Sequence, residues 1–264
     1  MIPKKIHYCW LGPDDIPESL AKCMNTWRQI LPDYEIICWD AKRFDVFSNR
    51  FTEQAFSARK WAFVSDYIRI FALFTEGGFY LDVDVIVKRR FDEFLNCGFV
   101  TSVEYHHDVV KKHDTLSLLT EYGDSTIPYT RKPGIGLQAA ILGGREGHPY
   151  LKSVLDWYED KNFILSDGSY NNVIIAPDIY AMVAEDYGFK YRNAQQRLRE
   201  DILILPSEYF AGGLSEATER TYAIHCGVGM WRDMGVVSAS LKRIKKNNLL
   251  RKIFRKKLLP HGIN

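Results

Sequence analysis

The stretch GGFYLDVDVIV (residues 77–87) is the most informative part of this 264-residue chain. It places an acidic tripeptide, Asp82-Val83-Asp84, between two aromatic and β-branched flanks of the kind found in buried strands. Before it, apolar residues recur at spacings of three and four from Ala58 to about Thr75, which predicts a helix ended by the two glycines. The sequence therefore predicts a helix, a turn and a buried strand interrupted by two carboxylates.

The two aspartates predict a metal site. Because side chains alternate along an extended backbone, we expect Asp82 and Asp84 on the same side of the strand. Paired carboxylates form a hard oxygen site suited to Mn²⁺ or Mg²⁺, and two buried like charges are costly without a cation. The alternative interpretation is a pair of solvated aspartates in a turn.

The first 40 residues predict a strand–helix–strand unit. Lys5 to Leu11 and Glu35 to Trp39 are short apolar and aromatic segments, and a helix that opens at Pro17 separates them. Such a unit predicts parallel strands in one sheet. Farther along, the pattern predicts three strands and one helix, at residues 137–142, 202–205, 221–224 and 149–160 respectively.

Composition limits the class of protein. The chain is 46% hydrophobic and 26% charged, which excludes disordered and collagen-like chains. No apolar run approaches the roughly 18 residues of a membrane span. The five cysteines lack C-x-x-C spacing, which favours reduced, buried thiols over a disulfide framework or a zinc site. Since the N-terminus has no apolar signal-peptide core, we expect a cytoplasmic protein.

Charge is unevenly distributed along the chain. Residues 234–264 hold nine Lys and Arg and no Asp or Glu, which leaves 26 basic against 33 acidic residues before them, a net charge of −7. Apolar residues in this tail recur at near-helical spacing and predict an amphipathic basic helix at an anionic membrane. A helix packed on the body, or a tail that binds nucleic acid, is the alternative, but no nucleic-acid recognition motif accompanies it. We therefore expect a body, 1–237, a membrane-association tail, 238–264, and no nucleic-acid partner.

Several segments resemble one family in the same order along the chain. They are IPKKIHYCW (2–10), LPDYE (31–35), AFVSDYIRI (62–70), GGFYLDVD (77–84), GHP (147–149) and YAIH (222–225) followed by Trp231. Together they resemble the DXD-containing glycosyltransferases of family 32, which include fungal mannosyltransferases and capsule and lipopolysaccharide enzymes, with the clostridial toxin glucosyltransferase domains as relatives. The resemblance implies a GT-A-type α/β fold: a single Rossmann-like domain with a mixed, mostly parallel sheet.

The resemblance also implies roles for individual residues. Asp82, Asp84 and His225 would bind Mn²⁺ or Mg²⁺, and the catalytic residues would be Asp66, Arg69 and Asp84. The donor would be bound by six side chains: Trp10, Asp66, Arg69, Tyr80, Asp82 and Trp231.

Some of these assignments have competing interpretations. Asp66 and Arg69 are three residues apart on one helix face and could form a surface ion pair, and core packing competes for Trp10. Family members often carry Ser-Trp where this chain has Met230-Trp231, so any role of that serine is lost. The histidines at 106, 107 and 113 lack metal-ligand spacing and predict a solvated loop on the acceptor side.

The implied activity is metal-dependent transfer of a hexose, galactose or glucose, from a UDP-sugar with retention of configuration. The implied acceptor is a saccharide on a polyprenyl diphosphate carrier in bacterial capsular or surface polysaccharide synthesis, with the enzyme peripheral on the inner face of the cell membrane. Two other functions stay open. One is a haloacid-dehalogenase-like phosphatase with Asp82 as nucleophile, although in that family the acidic pair opens the domain. The other is a non-catalytic membrane-binding protein.

Overall fold

The centre of the molecule is a mixed β-sheet. The computed structural model describes residues 1–227. Their strands are β1 (Lys5–Cys9), β2 (Glu35–Trp39), β3 (Gly78–Leu81), β4 (Val85–Val87), β5 (Phe99–Tyr105), β6 (Ile135–Leu137), β7 (Ile141–Gly144), β8 (Gln196–Leu198), β9 (Ile202–Leu205), β10 (Phe210–Ala211) and β11 (Ala223–His225). Eight of them form one sheet in the order β2-β1-β3-β7-β5-β9-β8, with β6 paired to β5 outside this row. The other three form a small sheet in the order β10-β11-β4.

Six α-helices accompany the sheets in residues 1–227. They are α1 (Glu18–Ile30), α2 (Arg50–Ser57), α3 (Trp61–Glu76), α4 (His107–Lys112), α5 (Pro149–Glu159) and α6 (Ala176–Ala184). None of these helices is both long and apolar enough to span a bilayer. The architecture is therefore α/β with a mixed sheet, as predicted. Five strands (β2, β1, β3, β5 and β9) share one direction, whereas β6, β7 and β8 run against them.

The predicted strand–helix–strand unit is confirmed at the N-terminus. β1 and β2 pair in parallel, from Lys5 opposite Glu35 to Cys9 opposite Trp39. Between them α1 begins directly after Pro17, whose missing N–H costs nothing at a helix start. Trp27 on the buried face of α1 donates its indole N–H to the carbonyl of Val85, at 2.7 Å. This bond ties α1 to the strand that follows the acidic tripeptide.

The acidic tripeptide joins the two sheets. β3 ends at Leu81 in the large sheet, and β4 begins at Val85 in the small one. Between them the chain turns, and the Val85 N–H donates to the carbonyl of Asp82 at 2.9 Å. The prediction that Asp82 and Asp84 lie along one extended strand is therefore wrong. A turn separates β3 from β4, so Asp82 directly follows the end of β3 and Asp84 directly precedes the start of β4.

Two glycines allow close approaches around β3. Gly77 ends α3 with φ +61°, and a Cβ there would lie 2.8 Å from Pro3. Gly143, on β7 opposite Phe79, would place a Cβ 2.6 Å from the ring of that residue. Side chains larger than hydrogen at either position would push β3 away from its neighbours.

The remaining predicted elements differ mainly at their ends. The helix over 149–160 is α5 and the strand over 202–205 is β9, whereas the strand placed at 221–224 is β11, Ala223–His225. The single strand expected over 137–142 is instead the end of β6 and the start of β7, with a break between them. Helices α2, α4 and α6 were not predicted, and α4 begins at His107, where a loop was expected.

The C-terminal predictions lie outside the described residues. Residues 1–226 form one compact unit. The boundary at 237/238, the basic amphipathic helix and Trp231 all fall beyond residue 227. They remain predictions from sequence.

Candidate active site

Two carboxylates and an imidazole meet where β3, β4 and β11 come together. Asp82 and Asp84 flank the turn, and His225 ends β11, where antiparallel pairing sets it opposite Val85. The His225 Nε2 atom lies 3.4 Å from Asp84 Oδ1 and 4.0 Å from Asp82 Oδ2. Ligand atoms of the three side chains all lie within 4.8 Å of one another. The structure thus brings together the three residues predicted as metal ligands.

The chemistry of this Asp-Asp-His group fits a divalent cation. Two hard carboxylate oxygens and one imidazole nitrogen suit Mn²⁺ or Mg²⁺ better than a soft metal. Burial lowers the pKa of His225, but the charges of Asp84 and Asp82 outweigh burial and raise that pKa to about 9. Without a cation, a proton on His225 therefore balances part of the negative charge of the aspartates.

Arg69 and Asp66 lie beside this group on α3. Arg69 is 5% exposed, and its Nη2 atom lies 2.9 Å from Asp66 Oδ1 and 3.6 Å from Asp82 Oδ1. Its guanidinium also donates to the carbonyls of Ala139, at 2.6 Å, and Ser65, at 3.2 Å. The predicted pair is thus a buried, multiply bonded ion pair next to the DXD turn, and a solvated surface pair is excluded.

Burial shapes the electrostatics of the Asp66 carboxyl. It raises the pKa of Asp66 to about 6, against the opposing effect of the Arg69 charge. The phenol of Tyr180 donates to the backbone carbonyl of Asp66 at 3.1 Å and helps to fix this part of α3. With a pKa of about 6, the Asp66 carboxyl is mostly ionised at pH 7, as its ion pair with Arg69 requires.

Tyr80 and Trp10 occupy different positions relative to the site. Tyr80 is 1% exposed, lies 4.9 Å below the Arg69 guanidinium and donates its hydroxyl to Asp82 Oδ1 at 2.8 Å. Trp10 directly follows β1 and is half-buried, and its indole N–H donates to the carbonyl of Asp14 at 2.6 Å. Tyr80 thus touches the Asp82-Asp84-His225 group through its bond to Asp82. The contact of Trp10 with the donor stays a prediction.

Glu104, near the carboxyl end of β5, was not predicted from sequence. Its carboxylate accepts a hydrogen bond from His106 at 2.9 Å, so this histidine is paired, whereas His107 is exposed. A signal for it was available, because the FVTSVEY segment (99–105) holds one charged residue, close to its end.

Comparison with known proteins relates part of the chain to glycosyltransferases. Residues 17–98 match the family model described as "Glycosyltransferase sugar-binding region containing DXD motif". The chain therefore carries the DXD-containing sugar-binding region of a glycosyltransferase, and the resemblance predicted from sequence is confirmed.

Individual relatives are similar to larger or smaller parts of the chain. The initiation-specific α-1,6-mannosyltransferase of Candida albicans is 22% identical over 89% of this chain and 73% of the relative. The inositol phosphoceramide mannosyltransferase 3 of Schizosaccharomyces pombe is 29% identical over 58% of this chain, which spans only 36% of that relative. Among solved structures, the PaToxG glycosyltransferase matches 70% of this chain and 69% of its own at 19% identity, with a TM-score of 0.47. The galactosyltransferase LgtC matches 97% and 98% at 14% identity, with a TM-score of 0.41.

Proposed function

We propose that this chain is a metal-dependent glycosyltransferase that moves a hexose from a nucleotide sugar to a saccharide acceptor. The observation that carries the proposal is the Asp82-Asp84-His225 group, which lies beside a buried Asp66–Arg69 pair. The two aspartates belong to the DXD region at 17–98, and β11 brings His225 to them. A cation between carboxylates, adjoining a fixed guanidinium, suits a ligand that carries two phosphates. The family match favours this function over the phosphatase and the non-catalytic binder.

Each residue of the site has a distinct task in this proposal. Asp82, Asp84 and His225 would hold the cation, which when bound offsets the negative charge that develops on the leaving diphosphate. Arg69 orients the carboxylates of Asp66 and Asp82, and its own position is fixed by backbone carbonyls. Asp66, with one oxygen on Arg69, would accept hydrogen bonds from hydroxyls of the donor sugar.

The donor proposed is a UDP-hexose, of the galactose or glucose type, with Mn²⁺ as the cation and Trp10 and Trp231 against the nucleotide. Retention of configuration requires no protein nucleophile if the leaving phosphate takes the proton of the acceptor hydroxyl. Because several relatives are named mannosyltransferases, GDP-mannose belongs in the same test.

The proposed acceptor is a saccharide on a polyprenyl diphosphate carrier, in capsular or surface polysaccharide synthesis on the inner face of a bacterial membrane. The support is the basic, amphipathic pattern of the tail at 238–264. Co-sedimentation with vesicles containing anionic lipid tests it: removal of 238–264 is expected to abolish binding, and unchanged binding would refute the assignment.

The central experiment is a hydrolysis screen of UDP- and GDP-sugars with and without Mn²⁺. We expect Mn²⁺-dependent release of nucleoside diphosphate from at least one sugar nucleotide. Replacing Asp84 by Asn removes one charged ligand and is expected to lower the rate about 100-fold or more. The matched control is Asp156→Asn, since Asp156 forms an i,i+4 pair on the surface of α5.

Two results would overturn the proposal. One is that no sugar nucleotide is bound or turned over with or without Mn²⁺. The other is release of inorganic phosphate from a phosphomonoester that is lost in an Asp82→Asn variant, which would identify a phosphatase.

A further inference from the structure

The carboxyl end of β5 carries a polar pair that the donor site does not use. Glu104 Oε1 and His106 Nε2 are 2.9 Å apart, with the two side chains 22% and 46% exposed. Within residues 1–227 this is the only hydrogen bond recorded for the Glu104 carboxylate, so its other oxygen is available. The pair combines a half-buried carboxylate with an accessible ring.

Strand register relates the end of β3, where the acidic turn begins, to β5. β3 and β5 both pair with β7 in antiparallel fashion, and Phe79 and Val100 both lie opposite Gly143. Two residues farther along each strand, Leu81 at the end of β3 is therefore level with Ser102 on β5. Two strand spacings separate these positions, about 10 Å.

The direction of the Glu104 side chain follows from its neighbour two residues earlier. Ser102 donates its hydroxyl to the carbonyl of Phe210 on β10, at 3.3 Å, so alternate residues of β5 face the small sheet. On that sheet Ala211 pairs with Ile224, which sets Gly212 next to His225. Glu104 thus lies on the β5 side of the Asp82-Asp84-His225 group, and its charge helps to raise the pKa of His225.

The β5 side of the site is negatively charged, whereas the α3 side carries the guanidinium of Arg69. The carboxylate of Glu216 accepts a hydrogen bond from the Gly212 N–H and, like that of Glu104, acts electrostatically on His106. The nearby guanidinium of Arg131 is engaged by the buried Asp178, at 3.0 Å. A phosphate would be repelled here, whereas neutral sugar hydroxyls can donate to a carboxylate and bond to an imidazole.

We propose that Glu104 and His106 bind hydroxyl groups of the acceptor sugar on the β5 side of the metal group, while Asp66 and Arg69 serve the donor on the α3 side. This inference rests on the proposed function and deepens it. Glu104 accepts from a hydroxyl through its available oxygen, and its bond to His106 orients the ring for a neighbouring hydroxyl. The preferred ligand is an uncharged sugar ring with free hydroxyls.

The test compares hydrolysis of the donor with transfer to a sugar. The probes are methyl α-mannoside, methyl β-galactoside and methyl β-glucoside, added to the Mn²⁺-loaded enzyme with the sugar nucleotide that it hydrolyses fastest. For Glu104→Gln we expect donor hydrolysis within about twofold of the parent enzyme. The KM for the methyl glycoside should rise about tenfold or more, because the sugar hydroxyl then donates to a neutral amide and no longer to a charged carboxylate. His106→Gln should act in the same direction, and the exposed His107→Asn serves as the matched control.

Three outcomes would overturn the inference. The first is that none of the glycosides accepts sugar or binds, by saturation-transfer NMR, to an enzyme that hydrolyses its donor. The second is an unchanged acceptor KM in Glu104→Gln. The third is an equal loss of hydrolysis and transfer in that variant, which would indicate a structural or donor role. If the parent enzyme cleaves no donor at all, the proposed function itself fails, and the two failures are thereby distinguished.

Discussion

Metal binding by the Asp82-Asp84-His225 group is expected to weaken as the pH falls, because a cation must displace the proton on His225. The pKa of that imidazole in the metal-free protein is about 9, so it is protonated at pH 7. Displacement of one proton changes the apparent association constant about tenfold per pH unit below that value, or about 1.4 kcal/mol. Between pH 8 and pH 6 we therefore expect Mn²⁺ affinity to fall about 100-fold.

Isothermal titration calorimetry in two buffers of different ionisation enthalpy measures this directly. At pH 7 we expect about one proton released for each Mn²⁺ bound. His225→Gln replaces the imidazole by a neutral amide and is expected to bind more weakly with no proton release. Asp156→Asn is expected to behave like the parent protein. Displacement of a proton from His225 is refuted if the parent protein releases no proton on binding Mn²⁺, or if His225→Gln releases as many protons as the parent protein.

The same pKa fixes the sign of a stability effect in the metal-free protein. The folded pKa of His225 lies above its ordinary value of 6.5, so the protonated form contributes stability that is fully present below about pH 6.5. That contribution is lost as the pH rises through 9. With saturating Mn²⁺ the neutral imidazole binds the cation, so this loss of stability between about pH 6.5 and 9 is expected to disappear.

Three further substitutions test packing and charge. Gly143→Ala would bring a Cβ within 2.6 Å of an aromatic carbon of β3 and is expected to lower the free energy of unfolding by about 1–3 kcal/mol in urea, whereas Gly12→Ala, with open space around it, should be nearly neutral. Trp27→Phe removes the buried donor to the Val85 carbonyl and is expected to cost about 1–3 kcal/mol, so an unchanged urea midpoint would contradict that bond. Arg69→Lys keeps the charge but loses the planar fork, and we expect kcat for donor cleavage to fall about tenfold or more with an unchanged circular dichroism spectrum.

Sequence predicted the elements whose boundaries are marked by special residues. Pro17 and the glycines at 77 and 78 mark the start of α1 and the end of α3, and both helices lie close to where the pattern predicts them. α6 was missed for a physical reason. Its residues are buried on all sides, so its apolar run lacks the helical period that an exposed face would create.

The candidate site divides in a similar way between what sequence could and could not predict. Two of its ligands are two residues apart in the chain, and the motif order pointed to His225. Local pattern offered the turn at Asp82 only as the alternative interpretation, because only the sheet topology determines that β3 and β4 belong to different sheets. Glu104 was missed since its position depends on two pairings through β7, which are contacts between distant parts of the chain.

The turn between β3 and β4 places the candidate metal site where the large and the small sheet meet. Asp82 leaves the large sheet, while His225 belongs to the small one and the Asp84 carbonyl accepts from the Cys226 N–H at 3.1 Å. A bound cation would therefore act as a cross-link between the two sheets, next to their three-residue connection at 82–84. Amide hydrogen exchange in β11 is then expected to slow when metal is added. In such a protein the cation that prepares the chemistry also stabilises the contact between the two sheets.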